Sequence, residues 1–314
     1  MSPRIVSFLP SASEMVCALG LSESLVGITH ECDYPAALKG KPVVVRAVLP
    51  VEQMSQDEID AAVAQRMREG LSLYQVDEEL LRKLDPDLIL TQDLCQVCAP
   101  SGNEVAGVLQ LLPRKPRILW LTPRSLAEIF ENLRELGQAT DRLGAAEELI
   151  AASRKRLDRV ADLTRNVPAR PRVFCMEWFE PVYASGHWLP EMIEIAGGLD
   201  ALGRKGMDSV RIDWKEVQEW APEVLILTPC GFNLDQTIER AHSLASYPGW
   251  SDLPAVRDGR VYAVDANSYF ARPGPRVVDG TELLAHLIHP DLFAWPGPNT
   301  AFRRLELDVC ASPH

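Results

Sequence analysis

Leu84-Asp85-Pro86-Asp87-Leu88-Ile89-Leu90-Thr91-Gln92-Asp93-Leu94-Cys95-Gln96-Val97-Cys98 is the stretch on which the fold turns. A helical stripe of Leu80, Leu81 and Leu84, capped at its start by Asp77, stops at Asp85-Pro86. Proline forces that stop, because it pushes the residue before it out of the helical region. Leu88-Ile89-Leu90 then reads as a short buried strand. Thr91 to Cys98 leaves the strand, and Ser101-Gly102-Asn103-Glu104 is a capping-box pattern that opens the next helix. The C-x-x-C thus lies between a strand end and a helix N-terminus, where the backbone field favours thiolate.

The same order returns in the second half. Trp214 to Trp220 is helical and stops at Ala221-Pro222, Val224-Leu225-Ile226-Leu227 is the strand, and Thr228-Pro229-Cys230-Gly231 leaves it. Helix, x-Pro, four-residue strand and cysteine loop make an approximate repeat.

Working outward, Ile5 to Leu9 is a strand, Pro10 to Glu14 a polar turn, and Met15 to Leu19 a helical stripe closed by Gly20. Leu25 to Thr29 and Pro42 to Val45 are further strands, with Arg46 ending the latter. Residues 55–69 form a helix, and Arg117 to Leu121 is another strand after the helix of residues 103–112. From Ser125 to about Arg165 the pattern is helical throughout, with Gly137 and Gly144 marking breaks. Ala145 to Leu163 within it is amphipathic and about 30 Å long at 1.5 Å per residue.

Asn166-Val167-Pro168-Ala169-Arg170-Pro171 is the boundary signal. Arg172 to Trp178, Val224 to Leu227 and Arg260 to Val264 are strands beyond it, with helices at Glu191 to Ala196 and Val277 to Ile288. After Pro290 the tail reads as irregular. The expected fold is α/β, with two lobes of mostly parallel sheet joined by a long rigid helix and a ligand cleft between them. The expected divisions are an N-terminal lobe over 1–124, a helical connector over 125–169, a C-terminal lobe over 170–294 and a tail over 295–314.

The bulk numbers narrow the function. A net charge of −12 argues against nucleic acid, whose phosphates need a basic face. No apolar run approaches the roughly 18–20 residues that cross a bilayer. Met1-Ser2-Pro3-Arg4 runs straight into a strand without a signal-peptide pattern, so the expected compartment is the cytoplasm, or the periplasm if a signal was removed. Seven irregularly spaced cysteines fit a reducing compartment rather than a disulfide scaffold.

Parallel sheets bind ligands outside the carboxyl ends of their strands. The first lobe places Ser11, Ser13, Glu14, His30, Glu31, Cys32, Arg46, Asp93, Cys95 and Cys98 there. The second offers Glu177, Trp178, His187, Trp188, Cys230, Tyr269, Phe270 and Arg272. Four aromatics at strand exits suit stacking on a large flat ligand. Ser11 and Ser13 suit an anion at a helix N-terminus. Cys32, Cys95, Cys98 and Cys230 make a thiolate set for zinc or an iron–sulfur cluster. Cys17 and Cys175 lie in apolar segments and read as core. Dinucleotide, Walker, G-x-S-x-G and H-E-x-x-H signatures are missing, so binding is favoured over catalysis.

Several segments together resemble the class III periplasmic substrate-binding proteins, and within them the cobalamin-binding branch. They are Arg4-Ile5-Val6-Ser7 with Pro10, Ser13 and Glu14; Val26-Gly27-Ile28 with Asp33-Tyr34-Pro35; Leu84 to Ile89; Gly197-Gly198; and Arg272 with Pro275-Arg276. The resemblance implies a cobalamin-like corrinoid, or another metal–tetrapyrrole, in the cleft, with Trp178 and Tyr269 at the places of corrin-contacting aromatics. It also implies one acidic docking residue per lobe for an ABC transporter. Glu79 matches the first, whereas Lys215 stands at the second with Glu216 beside it, which argues against docking of that kind. The expectation is therefore an intracellular corrinoid-binding protein, with His30 or His187 as candidates to ligate cobalt or donate to corrin side chains. Three alternatives stand beside it: a cysteine-ligated zinc or iron–sulfur protein, the solute-binding component of an ABC uptake system, and an enzyme acting on the bound cofactor.

Overall fold

The computed structural model describes residues 3–50, 54, 56–69, 71–92, 109 and 112–306. The chain divides into two compact units: Met1–Pro123 with Ala127–Ile150, and Arg124–Leu126 with Ala151–His314. Each is an α/β lobe, the first built on a mostly parallel sheet and the second on a mixed sheet with three parallel strands at its centre.

The N-terminal unit contains β1 (Ile5–Ser7), α1 (Pro10–Ala18), β2 (Leu25–Thr29), β3 (Val43–Ala47), α2 (Gln56–Arg68), β4 (Tyr74–Val76), α3 (Glu78–Leu84), β5 (Leu88–Thr91) and β6 (Arg117–Trp120). Its sheet runs β4-β3-β2-β1-β5-β6 among the described residues. All neighbours are parallel except β4, which closes one edge antiparallel to β3. β1 and β5 sit inside this order and are buried along their whole lengths, which is why both read as unbroken apolar runs. Val6, Phe8, Val44, Leu81 and Ile89 belong to one core cluster beneath α3.

Two expectations change here. Pro10 to Glu14 is the first part of helix α1 rather than a turn, because Pro10 occupies the opening helical position, where its missing N–H costs nothing. Gly137 and Gly144 also lie inside helices, α4 (Leu126–Ala139) and α5 (Leu143–Thr164). The break falls between them, where Asp141 adopts a φ of 56°. A Cβ on Gly137 would meet the Cβ of Ala146 at 2.7 Å, so this glycine serves the close approach of α4 and α5.

α5 has 22 residues, about 33 Å at 1.5 Å per residue, and the division between the units falls inside it. Among the described residues no helix is long and apolar enough to cross a membrane.

The C-terminal unit continues with β7 (Val173–Trp178), β8 (Tyr183–Ala184), β9 (Gly186–His187), α6 (Leu189–Ile195), β10 (Arg204–Lys205), β11 (Val210–Arg211), α7 (Trp214–Trp220), β12 (Val224–Leu227), α8 (Leu234–Ala241), β13 (Val261–Val264), α9 (Ala266–Tyr269), α10 (Val277–Ile288) and β14 (Phe302–Arg304). Its main sheet runs β11-β8-β7-β12-β13-β14 among the described residues. β7, β12 and β13 are parallel, and the flanking strands are antiparallel. β9 and β10 form a separate parallel pair. The tail expected to be irregular therefore contains a strand. β14 pairs with β13 from Tyr262↔Arg304 to Val264↔Phe302, so its backbone is satisfied by tertiary pairing that Phe302-Arg303-Arg304 does not announce.

The repeat seen in sequence is real at the level of caps. Asp77 accepts from the Leu80 N–H at 2.9 Å, and Asp213 forms a capping box with Glu216. α3 ends at Asp85 and α7 at Ala221, both left-handed with φ of 41° and 49°, and each is followed by proline and a four-residue strand.

Arg156 of α5 is tied to α10 by Asp279 and Glu282, each at 2.6 Å. These two carboxylates, Glu282 foremost, raise the guanidinium above its ordinary pKa.

Candidate functional site

At the carboxyl edge of the N-terminal sheet, β1 delivers Ser11 and Ser13, both buried within α1. The Ser13 hydroxyl donates to the Leu9 carbonyl at 3.2 Å and lies 3.1 Å from the Cys32 sulfur. Thr29 Oγ1, 3.5 Å from the same sulfur, also accepts the Glu31 N–H at 3.1 Å. Cys32 is thus held by two hydroxyls at the exit of β2. Glu14 is buried in the same helix.

His30, exposed at the end of β2, accepts the Ala47 N–H through Nε2 at 3.4 Å. That contact joins the exits of β2 and β3. Arg46 and Glu31 are exposed alongside. Thr91 and Gln92, buried at the exit of β5, belong to this edge too. Asp93, Cys95, Cys98 and the capping box at Ser101 lie outside the described residues.

The C-terminal sheet presents a more fully braced edge. Glu177, next to last in β7, accepts the Gly186 N–H at 3.2 Å and the Ser209 hydroxyl. Asp200 takes the Ser185 hydroxyl at 3.0 Å and the N–H groups of Leu202 and Gly203. His187, at a φ of 51°, bonds Asp208 Oδ1 at 3.1 Å, and Arg124 lies 3.6 Å from that carboxylate oxygen. Glu177 therefore fastens the segment from Ser185 to Ser209 onto the end of β7, while Asp200 and Asp208 brace that segment internally.

The electrostatics follow from burial. Burial lowers the His187 pKa below the usual imidazole value, against the pull of Asp208 and with a small further push from Arg124. Burial raises the Asp200 carboxyl above the usual range, against its three hydrogen bonds.

The predicted aromatics separate into two kinds. Trp188 and Phe270 are 6% and 3% exposed, and the Trp188 indole donates to the Phe270 carbonyl at 2.9 Å. That pair packs the interior. Trp178 and Tyr269 are half-buried. Trp178 meets Phe232 edge-on, with centroids 5.4 Å apart and planes at 63°. Tyr269 meets Trp295 at 5.8 Å and 88°. Arg272 is buried at the following turn. Phe232, Asn267, Asp208 and Ser209 belong to this edge and were missed in the sequence. For Phe232 a signal existed: the capping box of Asn233 and Gln236 starts α8 one residue later and so places it at the sheet edge.

The zinc or iron–sulfur expectation is not supported. Among the described residues no group of three or more His, Cys, Asp or Glu side chains could hold a metal ion. Cys32 has hydroxyl neighbours, and Cys230 is exposed at the exit of β12. Burial pushes up the thiol pKa of both Cys17 and Cys175, strongly for Cys175, which is a core residue as expected, whereas Cys17 is only partly buried.

Comparison with known proteins places this architecture. The family described as periplasmic binding protein matches residues 5–268. The chain belongs to the periplasmic binding protein family. Among the similar relatives is an uncharacterized ABC transporter substrate-binding lipoprotein of Bacillus subtilis, 24% identical over 92% of this chain and 81% of that one. A vitamin B12-binding protein of Vibrio cholerae is 23% identical over 89% of this chain and 86% of its own. The crystal structure of a periplasmic heme-binding protein from Pseudomonas aeruginosa superposes with a TM-score of 0.71 at 22% identity, covering 93% of this chain and 94% of that one, a likeness of fold.

Periplasmic binding proteins named as lipoproteins or as periplasmic give no support to the cytoplasmic expectation. They favour a solute-binding role over an intracellular one. At the expected docking positions, Glu79 and Lys215 occupy the same second helical position of α3 and α7, as the matched caps at Asp77 and Asp213 show. Both are exposed and ion-paired within their helices, to Lys83 and Glu219. Glu216 bonds the Asp213 N–H at 3.0 Å and is committed to the capping box.

Proposed function

We propose that this periplasmic binding protein is the solute-binding component of an ABC uptake system for a metal–tetrapyrrole, a corrinoid or a haem. The observation that carries the reading is the pair of half-buried aromatics, Trp178 and Tyr269, each held edge-on by a second ring at the carboxyl edge of the parallel strands β7, β12 and β13. Rings so placed offer a large apolar surface with fixed orientation, which a flat macrocycle needs and a small polar solute does not. Relatives named for vitamin B12 and for heme support the same ligand class.

The test is titration of the purified protein with cyanocobalamin and with haemin, followed by absorbance and calorimetry. Saturable one-to-one binding at micromolar or lower concentration of one of them is expected. A flat titration with both would refute the reading. Reconstitution with a candidate transporter, comparing wild type with Lys215→Glu, tests the uptake role. Stimulation of ATP hydrolysis by the loaded wild-type protein is expected, and its absence refutes docking.

A further inference from the structure

We infer that Phe232 is a positioning residue for ligand binding, setting the plane of Trp178 as a wall against a flat macrocycle. The inference rests on the binding reading above and goes beyond it by assigning the part that gives the wall its rigidity. Trp178 ends β7, the strand at the middle of the C-terminal sheet, and is half-buried. Phe232 behind it is 9% exposed, so the pair has an open member and an enclosed one. The Arg240 guanidinium lies 5.9 Å from the Phe232 ring centroid, a cation–π contact on the enclosed ring.

The backbone beneath Phe232 is fixed from both sides. Its N–H donates to the Pro229 carbonyl at 3.1 Å, and its carbonyl accepts the Asn267 N–H at 3.1 Å. Asn267 also donates through Nδ2 to the Gly231 carbonyl at 3.0 Å, tying this loop to the exit of β13. On the other side the Cys230 N–H donates to the Glu177 carbonyl at 3.2 Å, tying it to the exit of β7. The Phe232 ring is therefore anchored to the strand exits on either side of its own. A tryptophan side chain has two rotatable bonds, and an edge contact against a fixed ring restrains both. Fixing a binding ring before the ligand arrives removes an ordering cost from association. Trp188 and Phe270, being buried, offer no such surface.

Two measurements test the assignment. In ligand-free protein labelled with 5-fluorotryptophan, the ¹⁹F resonance assigned by Trp178→Phe should shift or broaden in Phe232→Leu, while the other tryptophans hold. In titrations with cyanocobalamin and haemin, Phe232→Leu should weaken binding about three- to tenfold, chiefly through faster dissociation, while Phe232→Tyr stays within about twofold of wild type. In a Trp178→Ala background, Phe232→Leu should change affinity by less than about 1.5-fold, because its effect passes through the ring already removed. Additive losses in that cycle, or a Trp178 resonance that does not move, would overturn the positioning role alone. Wild-type protein that binds neither macrocycle would overturn both this inference and the reading beneath it.

Discussion

Gly186→Ala is the sharpest perturbation of the braced edge. A Cβ at this position would lie 2.4 Å from the Ser209 nitrogen, 2.7 Å from the Met207 oxygen and 2.8 Å from the Asp208 carbonyl carbon. All three are backbone atoms, so no flexible side chain can swing away. Ordinary contact needs about 3.4 Å or more, so the two segments must part by about 0.6–1 Å. The side-chain bond they share has no such slack: His187 to Asp208 at 3.1 Å would stretch to about 4 Å, beyond hydrogen-bond reach. Overpacking costs about 1–3 kcal/mol and a lost hydrogen bond about 1 kcal/mol, so a loss near 2 kcal/mol is expected. With a slope of about 2 kcal/mol per molar urea, the midpoint of the C-terminal unit should fall by about 1 M. Urea denaturation followed by near-ultraviolet circular dichroism reads that shift, and nitrogen NMR of the His187 imidazole reads the broken contact. An unchanged midpoint together with unchanged His187 resonances would refute the reasoning.

Arg156→Met should destabilise the C-terminal unit by about 1–3 kcal/mol in the same urea assay, since it strips the buried Glu282 of its guanidinium, while solvent around the 43% exposed Arg156 screens part of the pair. Adding Glu282→Gln should recover part of that loss, by removing the stranded charge. Burial lowers the pKa values of His187 and His289 in the folded state, so the unfolded chain takes up protons first as pH falls. Their contribution is intact above about pH 6.5 and is lost as pH drops through the lowered folded values, so the His187→Gln, His289→Gln double variant should show a shallower decline in urea midpoint between about pH 7 and 5. Trp188→Phe strands the Phe270 carbonyl and should cost about 1–2 kcal/mol of stability while leaving macrocycle affinity within about twofold, as titration would show.

What the sequence disclosed and what it hid divide along a physical line. Local chemistry was legible: Asp77, Asp85-Pro86 and Ala221-Pro222 mark helix ends through caps and proline sterics that depend on a few adjacent residues. Buried parallel strands such as β5 and β12 were legible because burial on both faces demands a continuous apolar run. The short flanking strands were not. β4, β8, β11 and β14 have two or three residues each and exist because a longer strand offers them hydrogen bonds. No local pattern carries that information. Gly137 misled for a related reason: a glycine in a helix signals a break only when no neighbouring helix needs the space.

The same line runs through the candidate site. Placing residues at strand carboxyl ends was a topological step, and it brought Ser13 to Cys32, His30 to the end of β3, and Trp178 to the middle of its sheet. Topology could not say which of those side chains remain available. Glu177 and His187 are both bonded within the protein, and the Trp188 indole donates to the buried Phe270 carbonyl. On the proposed reading, the residues that would meet a ligand are those whose partners hold them without enclosing them, as Phe232 holds Trp178. Binding selectivity at this edge should therefore respond more to changes in the holding residues than to changes in the charged ones, since rigid orientation of a large ring discriminates shape while bonded carboxylates discriminate little.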